Sequence, residues 1–252
     1  MSSDCSLMKG KSRKVKDVQV IILAGGKGTR LLPYTMVLPK PLMPIKDMPV
    51  MEVVIWQLRY YGFKSICIAT GHLSELIETF FKDGSKFGVD IRYSIEDRPL
   101  GTAGPIRLVS PLSENFLVMN GDLLTTLNYR ELFDFHIKSG AIATIATHPR
   151  TVSINFGIVD ADEDGRLKRY TEKPSIDYRV SMGINVFHKR VLDFIAEGQP
   201  LDIPDLISKL VQGGEEVFCY QPDCFWLDIG RTDDYQKAVE IYSERKKEFI
   251  LE

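Results

Sequence analysis

Short apolar runs alternate with amphipathic segments along the first 150 residues of the chain. The run 18–24 is rich in β-branched residues and ends at two glycines, a pattern typical of a buried parallel strand. The same pattern predicts further strands at 65–70, 89–94, 116–119 and 141–147, and helices at 49–61, 74–81, 102–109 and 129–138. Because strands and helices alternate, we expect a mainly parallel sheet covered by helices on both faces.

The rhythm changes after about residue 150. Segments 157–160 and 167–170 have the pattern of two strands joined by a turn at Asp164-Gly165. Beyond them we predict strands at 182–187 and 217–220 and helices at 190–196, 204–211 and 232–247. Neither a linker nor an internal repeat separates the two halves, so the second half is expected to add mixed strands to the same sheet. We therefore predict a single α/β domain over 18–252, preceded by a disordered extension at 1–17.

Composition and charge exclude several classes of protein. The 252 residues are 44% hydrophobic and 26% charged, close to the globular average, and 32 basic against 34 acidic residues give a net charge of −2. This balance argues against a nucleic-acid partner, and no apolar run approaches the roughly 18 residues that a membrane helix needs. Cysteines at 5, 67, 219 and 224 lack the spacing of a zinc or redox motif. Unpaired thiols without a secretory segment favour the cytoplasm.

A glycine-rich loop follows the first predicted strand. Residues 23–31 read Leu-Ala-Gly-Gly-Lys-Gly-Thr-Arg-Leu, and such glycines let the backbone approach a ligand and turn its amides towards an anion. The loop fits neither the P-loop pattern nor the dinucleotide-binding fingerprint. Arg30 and, further along, Lys40 supply positive charge, and arginine offers a two-pronged grip on phosphate oxygens. Two interpretations stay open from the loop alone: a phosphate site, and a tight turn with solvated charges.

Two aspartates stand beside predicted strands. Asp122 follows the strand 116–119, and Asp228 lies in the apolar segment 225–229. In sheets of this kind ligands bind beyond the carboxyl ends of the strands. Mg²⁺ prefers a few carboxylates together with phosphate oxygens and water, so its ligands can come from distant positions in the chain. An aspartate after a strand is also a common cap or turn residue.

Several of these segments together resemble the sugar-phosphate nucleotidylyltransferases, which join a nucleoside triphosphate to a sugar 1-phosphate and release pyrophosphate. The similar motifs keep the family's order over about residues 18–235: 25–31 with Pro33, Thr35 and 39–42, then 99–104, 120–122, 156–157, 172–174 and 226–230. The chain looks most similar to the mannose-1-phosphate guanylyltransferase branch. The resemblance implies a Rossmann-like three-layer α/β sandwich of the nucleotide-diphospho-sugar transferase type, with a mainly parallel mixed sheet. Some longer relatives carry a C-terminal β-helix, and we expect none here.

The resemblance also implies the residues of the site. The nucleotide-binding residues are expected to be Leu23, Ala24, Gly25, Gly26, Gly28, Thr29, Arg30, Glu96, Pro99, Gly101, Thr102 and Gly121. The catalytic residues are expected to be Arg30, Lys40, Asp122, Lys173 and Asp228, with Asp122 and Asp228 as ligands of Mg²⁺. Sugar-phosphate binding is assigned to Gly157, Glu172, Lys173 and Asn185.

Each of these residues has an expected role. The amides of 25–29 cradle the triphosphate, and Arg30 stabilises the departing pyrophosphate. Lys173 holds the phosphate of the sugar substrate, and Glu172 accepts hydrogen bonds from sugar hydroxyls. Glu96 can accept from the N1–H and the amino group of guanine, which favours GTP, and the branch resemblance favours mannose 1-phosphate. His136 lies at helical spacing and is expected to be a packed or surface histidine rather than a catalyst.

Other functions remain open at this stage. One alternative is a glucose- or heptose-1-phosphate nucleotidylyltransferase that uses another nucleoside triphosphate. A second is a non-catalytic nucleotide-sugar sensor or regulatory subunit, although all five charged catalytic positions are present. A dinucleotide-dependent oxidoreductase is a weaker third, because the fingerprint fails. Homo-oligomerisation is left open.

Overall fold

The computed structural model describes residues 15–251. Its strands are β1 Gln19–Leu23, β2 Pro44–Ile45, β3 Met48–Pro49, β4 Ser65–Thr70, β5 Asp90–Ile95, β6 Asn115–Asn120, β7 Leu123–Thr125, β8 Ala143–Ser153, β9 Ile158–Ala161, β10 Leu167–Thr171, β11 Ser175–His188, β12 Val217–Tyr220 and β13 Trp226–Asp228. Its α-helices are α1 Val50–Tyr60, α2 Ser74–Phe81, α3 Tyr129–Ser139, α4 Ile203–Gln212 and α5 Thr232–Phe249. Within 15–251, none of these helices has the length and apolar character to cross a bilayer.

Seven strands form the central sheet, in the order β12-β8-β11-β6-β1-β4-β5. Strand β1 pairs in parallel with β4 and β6, and β4 pairs in parallel with β5. Strand β11 runs antiparallel between β6 and β8, and β12 is parallel to β8. The prediction of a mainly parallel mixed α/β sheet is therefore confirmed. The carboxyl ends of β1, β4, β5 and β6 meet at one edge of the sheet, which we call the ligand edge.

Alternating residues of β1 show how the sheet is covered on both faces. Val20 and Ile22 pack into the apolar cluster that includes side chains of α1, α2 and α3. Ile21 points to the other face, where α4 contributes Leu206 and Leu210. A third cluster seats α5 against α1 and β7. Both faces of β1 are thus removed from water, which explains why its sequence is continuously apolar.

Two predicted helices are shorter and more tightly wound than expected. The segments predicted as helices at 102–109 and 190–196 contain 3₁₀-helices at Gly104–Leu108 and Lys189–Phe194. In the first, the amides of Ala103 and Gly104 both donate to the carbonyl of Leu201. The start of this segment is therefore docked on another part of the chain rather than wound into an α-helical turn.

The predicted hairpin forms, but it does not join the central sheet. Strands β9 and β10 pair antiparallel as a separate two-stranded sheet, with the turn at Gly165 in the left-handed region at φ 81°. Two further small pairs, β2 with β3 and β7 with β13, were not predicted. Of the predicted extension at 1–17, residues 1–14 lie outside the described residues, whereas Val15–Asp17 form a 3₁₀-turn. Val15 is buried in the core, so the fold includes at least three residues before the predicted boundary at 18.

His136 is a packed core residue, as expected. Its side chain is 1% exposed, with Nδ1 2.9 Å from Thr144 Oγ1 and Nε2 3.1 Å from Asn115 Oδ1. Burial, together with the nearby His188, lowers the pKa of His136 from its ordinary 6.5 to about 4. The unfolded chain therefore binds a proton more readily than the folded chain at pH values between these two.

We predict that this histidine makes the fold sensitive to mild acid. The stability that neutral His136 contributes is present above pH 6.5 and is lost as the pH falls towards 4. The free energy of unfolding should therefore fall by about 2 kcal/mol between pH 7 and pH 5. Denaturant unfolding of the wild type and of His136→Gln at both pH values measures this contribution. The variant should be less stable at pH 7 but should lose about 2 kcal/mol less on acidification. An unchanged pH dependence in the variant would contradict the prediction.

Candidate active site

An open cavity of about 840 Å³ lies at the ligand edge. Its wall is built from the segments that directly follow four parallel strands: 24–30 after β1, 71–72 after β4, 96–99 after β5, and the end of β6 with Asp122. Because the strands are parallel, their following loops converge on one place although they are far apart in the chain. Lys40 and Asp228 complete the wall of the cavity beside Asp122.

The glycine-rich loop forms the floor of the cavity. The amide of Ala24 donates to the carbonyl of Ala69 at 2.7 Å, which ties the loop to β4. Gly28 adopts φ +62°, and a Cβ there would lie 2.8 Å from Thr35 Cγ2. Its carbonyl accepts from Thr35 Oγ1 at 2.8 Å. Glycine is therefore needed at 28 both for the backbone conformation and for the close approach of Thr35.

Asp122 and Asp228 are brought together by a short pair of strands. Asp122 lies between β6 and β7, and Asp228 is the last residue of β13, where it pairs in register with Leu123. The amide of Ile229 donates to the carbonyl of Asp122 at 3.2 Å. Both carboxylates line the cavity beside the glycine-rich loop. The predicted convergence of these two acids is thus a feature of the structure.

A lysine ammonium lies between the two carboxylates. Lys40 Nζ is in contact with Asp122 Oδ2 and is 3.9 Å from Asp228 Oδ1. Burial, followed by repulsion from Asp122, raises the pKa of Asp228, while Lys40 and Arg30 oppose the rise. Two like charges in one partly buried place need a cation to be stable together.

The donor set suits a hard divalent cation. No group of three or more His, Cys, Asp and Glu side chains with ligand geometry occurs among residues 15–251. The protein therefore offers a pair of carboxylates rather than a closed cage. Mg²⁺ is usually bound in this way, through one or two carboxylates with the remaining positions taken by phosphate oxygens and water. Asp122 and Asp228 fit that requirement.

Glu96 and the loop that follows it form the opposite wall. Glu96 Oε2 accepts from the amide of Leu100 at 3.0 Å. Its Oε1 lies against the glycine-rich loop, since a Cβ on Gly25 would be 2.7 Å from that oxygen. Gly25 therefore makes room for the carboxylate. Oε2 of Glu96 thus holds the loop that follows it, and Oε1 faces the glycine-rich loop.

Thr102 and Gly101 hold this loop in place. Thr102 lines the cavity, but its amide and hydroxyl both bond to Asp202 Oδ1, at 2.9 and 3.2 Å, and its hydroxyl accepts from the amide of Ile203. A Cβ on Gly101 would lie 2.6 Å from the carbonyl oxygen of Leu201. Thr102 was predicted to bind nucleotide, whereas the structure gives its polar groups to loop docking.

Two residues predicted for the site are buried and are not among those that line the cavity. Gly121 packs against β1, with its amide donating to the carbonyl of Leu23 at 3.0 Å. Asn185 is 1% exposed on β11, between Val118 and Ile145 of the neighbouring strands. Neither polar atom of its side chain has a hydrogen-bond partner among the residues described here. Neither residue is among those that line the cavity, so the roles of Gly121 in nucleotide binding and of Asn185 in the sugar pocket stay predictions.

The other residues predicted for sugar phosphate form a separate cluster beside the β9–β10 hairpin. Tyr170 donates to Glu172 Oε2 at 2.9 Å, and Lys173 Nζ is 3.9 Å from Glu172 Oε1. Gly157 packs beside these two exposed side chains, since a Cβ on it would meet Tyr170 Oη and lie 3.1 Å from Glu172 Oε2. Lys173 and Glu172 are well exposed. The cluster is assembled, but its members are not part of the cavity wall that residues 23–228 form.

No side-chain role in the site was predicted for five polar residues that also line the cavity. These are Lys27, His72, Asp97, Arg98 and Asn120. Each lies at or just beyond the end of a parallel strand or in the glycine-rich loop, so the rule that ligands bind at such ends would have found them. Arg98 is also structural, because it donates to the carbonyl of Gly198 at 2.6 Å.

Comparison with known proteins identifies the family of the chain. The nucleotidyl transferase family model matches residues 19–245. A UTP–glucose-1-phosphate uridylyltransferase from Synechocystis sp. is 37% identical over 88% of this chain and 62% of its own length. Mannose-1-phosphate guanylyltransferases from Drosophila melanogaster (catalytic subunit beta) and Mycobacterium tuberculosis are 32% and 31% identical over 89% and 88% of this chain. The chain spans 62% and 63% of the length of these two.

Solved structures share the fold. A Bacillus anthracis protein assigned as a glucose-1-phosphate thymidylyltransferase superimposes with a TM-score of 0.72 at 24% identity, over 92% of this chain and 98% of that one. HddC from Yersinia pseudotuberculosis, solved with GMP-PN, gives a TM-score of 0.68 at 22% identity over 89% and 99%. The family match over nearly the whole chain confirms the resemblance inferred from the motifs. The chain belongs to the nucleotidyl transferase family.

Proposed function

We propose that this protein transfers a nucleoside monophosphate from a nucleoside triphosphate to a sugar 1-phosphate and releases pyrophosphate. The observation that carries the proposal is the meeting of Asp122, Asp228 and Lys40 beside the glycine-rich loop in one cavity. That arrangement offers backbone amides, fixed cationic groups and a carboxylate pair for a metal. These are the elements that a reaction between two phosphorylated substrates needs.

The chemistry follows from charge. Both substrates are anions and repel each other in water, so the site must neutralise them and hold them in line. An oxygen of the sugar phosphate, already ionised at neutral pH, attacks the α-phosphorus of the triphosphate. The new P–O bond forms as the bond to the β-phosphate oxygen breaks, and that electron pair leaves with pyrophosphate. No side chain therefore needs to remove a proton from the nucleophile. This agrees with the cavity wall, in which His72 is the only histidine among the described residues.

The residues of the cavity have different proposed roles. The loop 25–29 presents amides to the triphosphate, and Arg30 lies beside Asp228, where it can hold the leaving pyrophosphate. Lys40 balances charge on the reacting phosphates. Mg²⁺ held by Asp122 and Asp228 would supply charge neutralisation between the two substrates. Lys173, exposed and only loosely paired with Glu172, is the residue that we assign to the phosphate of the sugar.

For the base and the sugar we propose GTP and mannose 1-phosphate. The support is the carboxylate of Glu96 in the cavity wall. Its Oε1 can accept from the ring N–H of guanine, and Oε2, which already accepts from the amide of Leu100, has a second lone pair for the adjacent amino group. The glucose-1-phosphate uridylyltransferase at 37% identity makes UTP with glucose 1-phosphate the second candidate. One oxygen of Glu96 is committed to Leu100, and the remaining oxygen can also accept from the single ring N–H of uracil.

We predict Mg²⁺-dependent release of pyrophosphate in a panel of substrates. GTP, UTP, dTTP and CTP are each combined with mannose, glucose and heptose 1-phosphates, with and without Mg²⁺, and pyrophosphate is measured by a coupled assay. GTP with mannose 1-phosphate should give the highest kcat/KM. A higher value for UTP with glucose 1-phosphate would overturn the substrate assignment and keep the reaction class.

Absence of release under every combination would favour a sensor that binds nucleotide sugars without turnover. Direct binding then separates this outcome from an inactive preparation. A sensor would still bind a nucleotide sugar in calorimetry, whereas a misfolded sample would bind neither substrate nor product.

We also predict that Asp122→Asn is folded and nearly inactive. The substitution keeps the shape of the side chain and removes the charge that a metal needs, so kcat should fall by roughly 10²-fold or more. Asp134→Asn is the matched control, since it also neutralises one aspartate, at a partly exposed i,i+4 pair with Arg130 on α3. Steady-state kinetics and thermal unfolding are measured for both. Wild-type turnover in Asp122→Asn would remove Asp122 from the metal site.

A further inference from the structure

Lys40 occupies the position in which a metal ion would be expected. Its ammonium contacts Asp122 Oδ2 and is 3.9 Å from Asp228 Oδ1. The side chains of Lys40 and Asp122 are each only 13% exposed. The ammonium is thus a partly buried cation shared by two carboxylates. An ammonium and a divalent ion seek the same carboxylate oxygens, so both cannot hold the pair in full.

We propose that Lys40 is a displaceable internal cation of the acidic pair. In the free protein it neutralises Asp122 and Asp228 and competes with the divalent metal for them. When a nucleoside triphosphate binds, its phosphates attract the ammonium away and the metal takes over the carboxylates. The inference rests on the proposed function, because the phosphates and the metal are those of that reaction. It adds that the metal binds the free protein weakly and binds together with the nucleotide.

The position of Lys40 makes such an exchange possible. The backbone of Lys40 is fixed at the start of a 3₁₀-turn between Pro39 and Pro41, so the movement is confined to the side chain. A Cβ on Gly28 would lie 3.4 Å from Lys40 Cβ, so the stem of the lysine rises beside the glycine-rich loop. The four-carbon stem is flexible. The ammonium can therefore serve the acidic pair or phosphates above the loop without any change of fold.

Arg30 does not offer the same exchange. Its guanidinium lies beside Gly230, where a Cβ would be 3.7 Å from Arg30 Cζ. The broad planar group of arginine is suited to phosphate oxygens, whereas the compact ammonium can fit between two carboxylates. The structure therefore assigns the role of internal cation to Lys40 in particular.

The test is Mn²⁺ binding to the full chain without nucleotide. Mn²⁺ is titrated into the wild type, Lys40→Met, Lys40→Arg and Lys27→Met, and the Kd is read from calorimetry and from the electron paramagnetic resonance of free Mn²⁺. Removing the competing cation should lower the Kd by about tenfold or more in Lys40→Met. Lys40→Arg keeps the positive charge but loses the compact head group, so its Kd should lie between those of the wild type and Lys40→Met. Lys27→Met is the matched control, because it removes an exposed lysine of the same cavity wall.

Two results would overturn the proposal. One is an equal Kd in the wild type and Lys40→Met. The other is an equal gain in Lys27→Met, which would show that any nearby positive charge weakens metal binding. The double variant Lys40→Met/Asp122→Asn should lose the gain, and a retained gain would place the new metal site elsewhere.

A measurement on the wild type covers the case in which Lys40→Met fails to fold. The reactivity of each lysine towards acetic anhydride is followed by peptide mass spectrometry as Mn²⁺ is added. Displacement predicts a several-fold rise at Lys40 and no change at Lys27, and an unchanged or lower reactivity at Lys40 would refute it. Because neither experiment involves turnover, failure here is distinct from failure of the substrate panel.

Discussion

The juxtaposition of two carboxylates is the constraint on which the rest of the site depends. Strands β7 and β13 pair only three residues each, yet this pairing brings Asp122 and Asp228 to one place. Burial and mutual repulsion then raise the pKa of Asp228, so the pair is costly unless a cation lies beside it. Lys40 supplies that cation within the chain. A fold that must hold two negative charges together is one that can also bind a metal.

The central sheet determines what surrounds this pair. Four parallel strands end at the ligand edge, and each is followed by a segment with a different chemical property. The segment after β1 is glycine-rich, the one after β5 carries the carboxylate of Glu96, and the one after β6 carries Asp122. The hydrogen bonds of the sheet fix the spacing of these loops, so the side chains need little further support. The loop after Glu96 is the exception, and it is held by Asp202 and Leu201 from the opposite half of the chain.

The sequence predicts the sheet better than it predicts the contacts made at its edge. Continuous apolar runs such as 18–24 identify buried parallel strands, and the loops that follow them are then placed by topology. Strands β7 and β13 could not be predicted, because three residues are too few to show alternation. The burial of Asn185 could not be predicted for a related reason: β11 is buried on both faces at this point, so the pattern does not distinguish a core position from a pocket position. Family resemblance supplied the aspartate pair, which periodicity alone would have left as two turn residues.

Charge accounts for the separation between the cavity and the cluster of Glu172 and Lys173. Two positive groups of the cavity already have acidic neighbours: Lys40 is held by the acidic pair and Arg30 is close to Asp228. A first anionic substrate with its metal changes this balance by binding these groups. A second anion then needs a positive group that the first has not consumed. Lys173 is such a group. It is exposed beside the separate β9–β10 hairpin, and among the described salt bridges its partner is Glu172, whose Oε1 is 3.9 Å from its Nζ. Under the proposed function, two independent sources of positive charge would serve the two phosphorylated substrates, which would limit their competition for the same site.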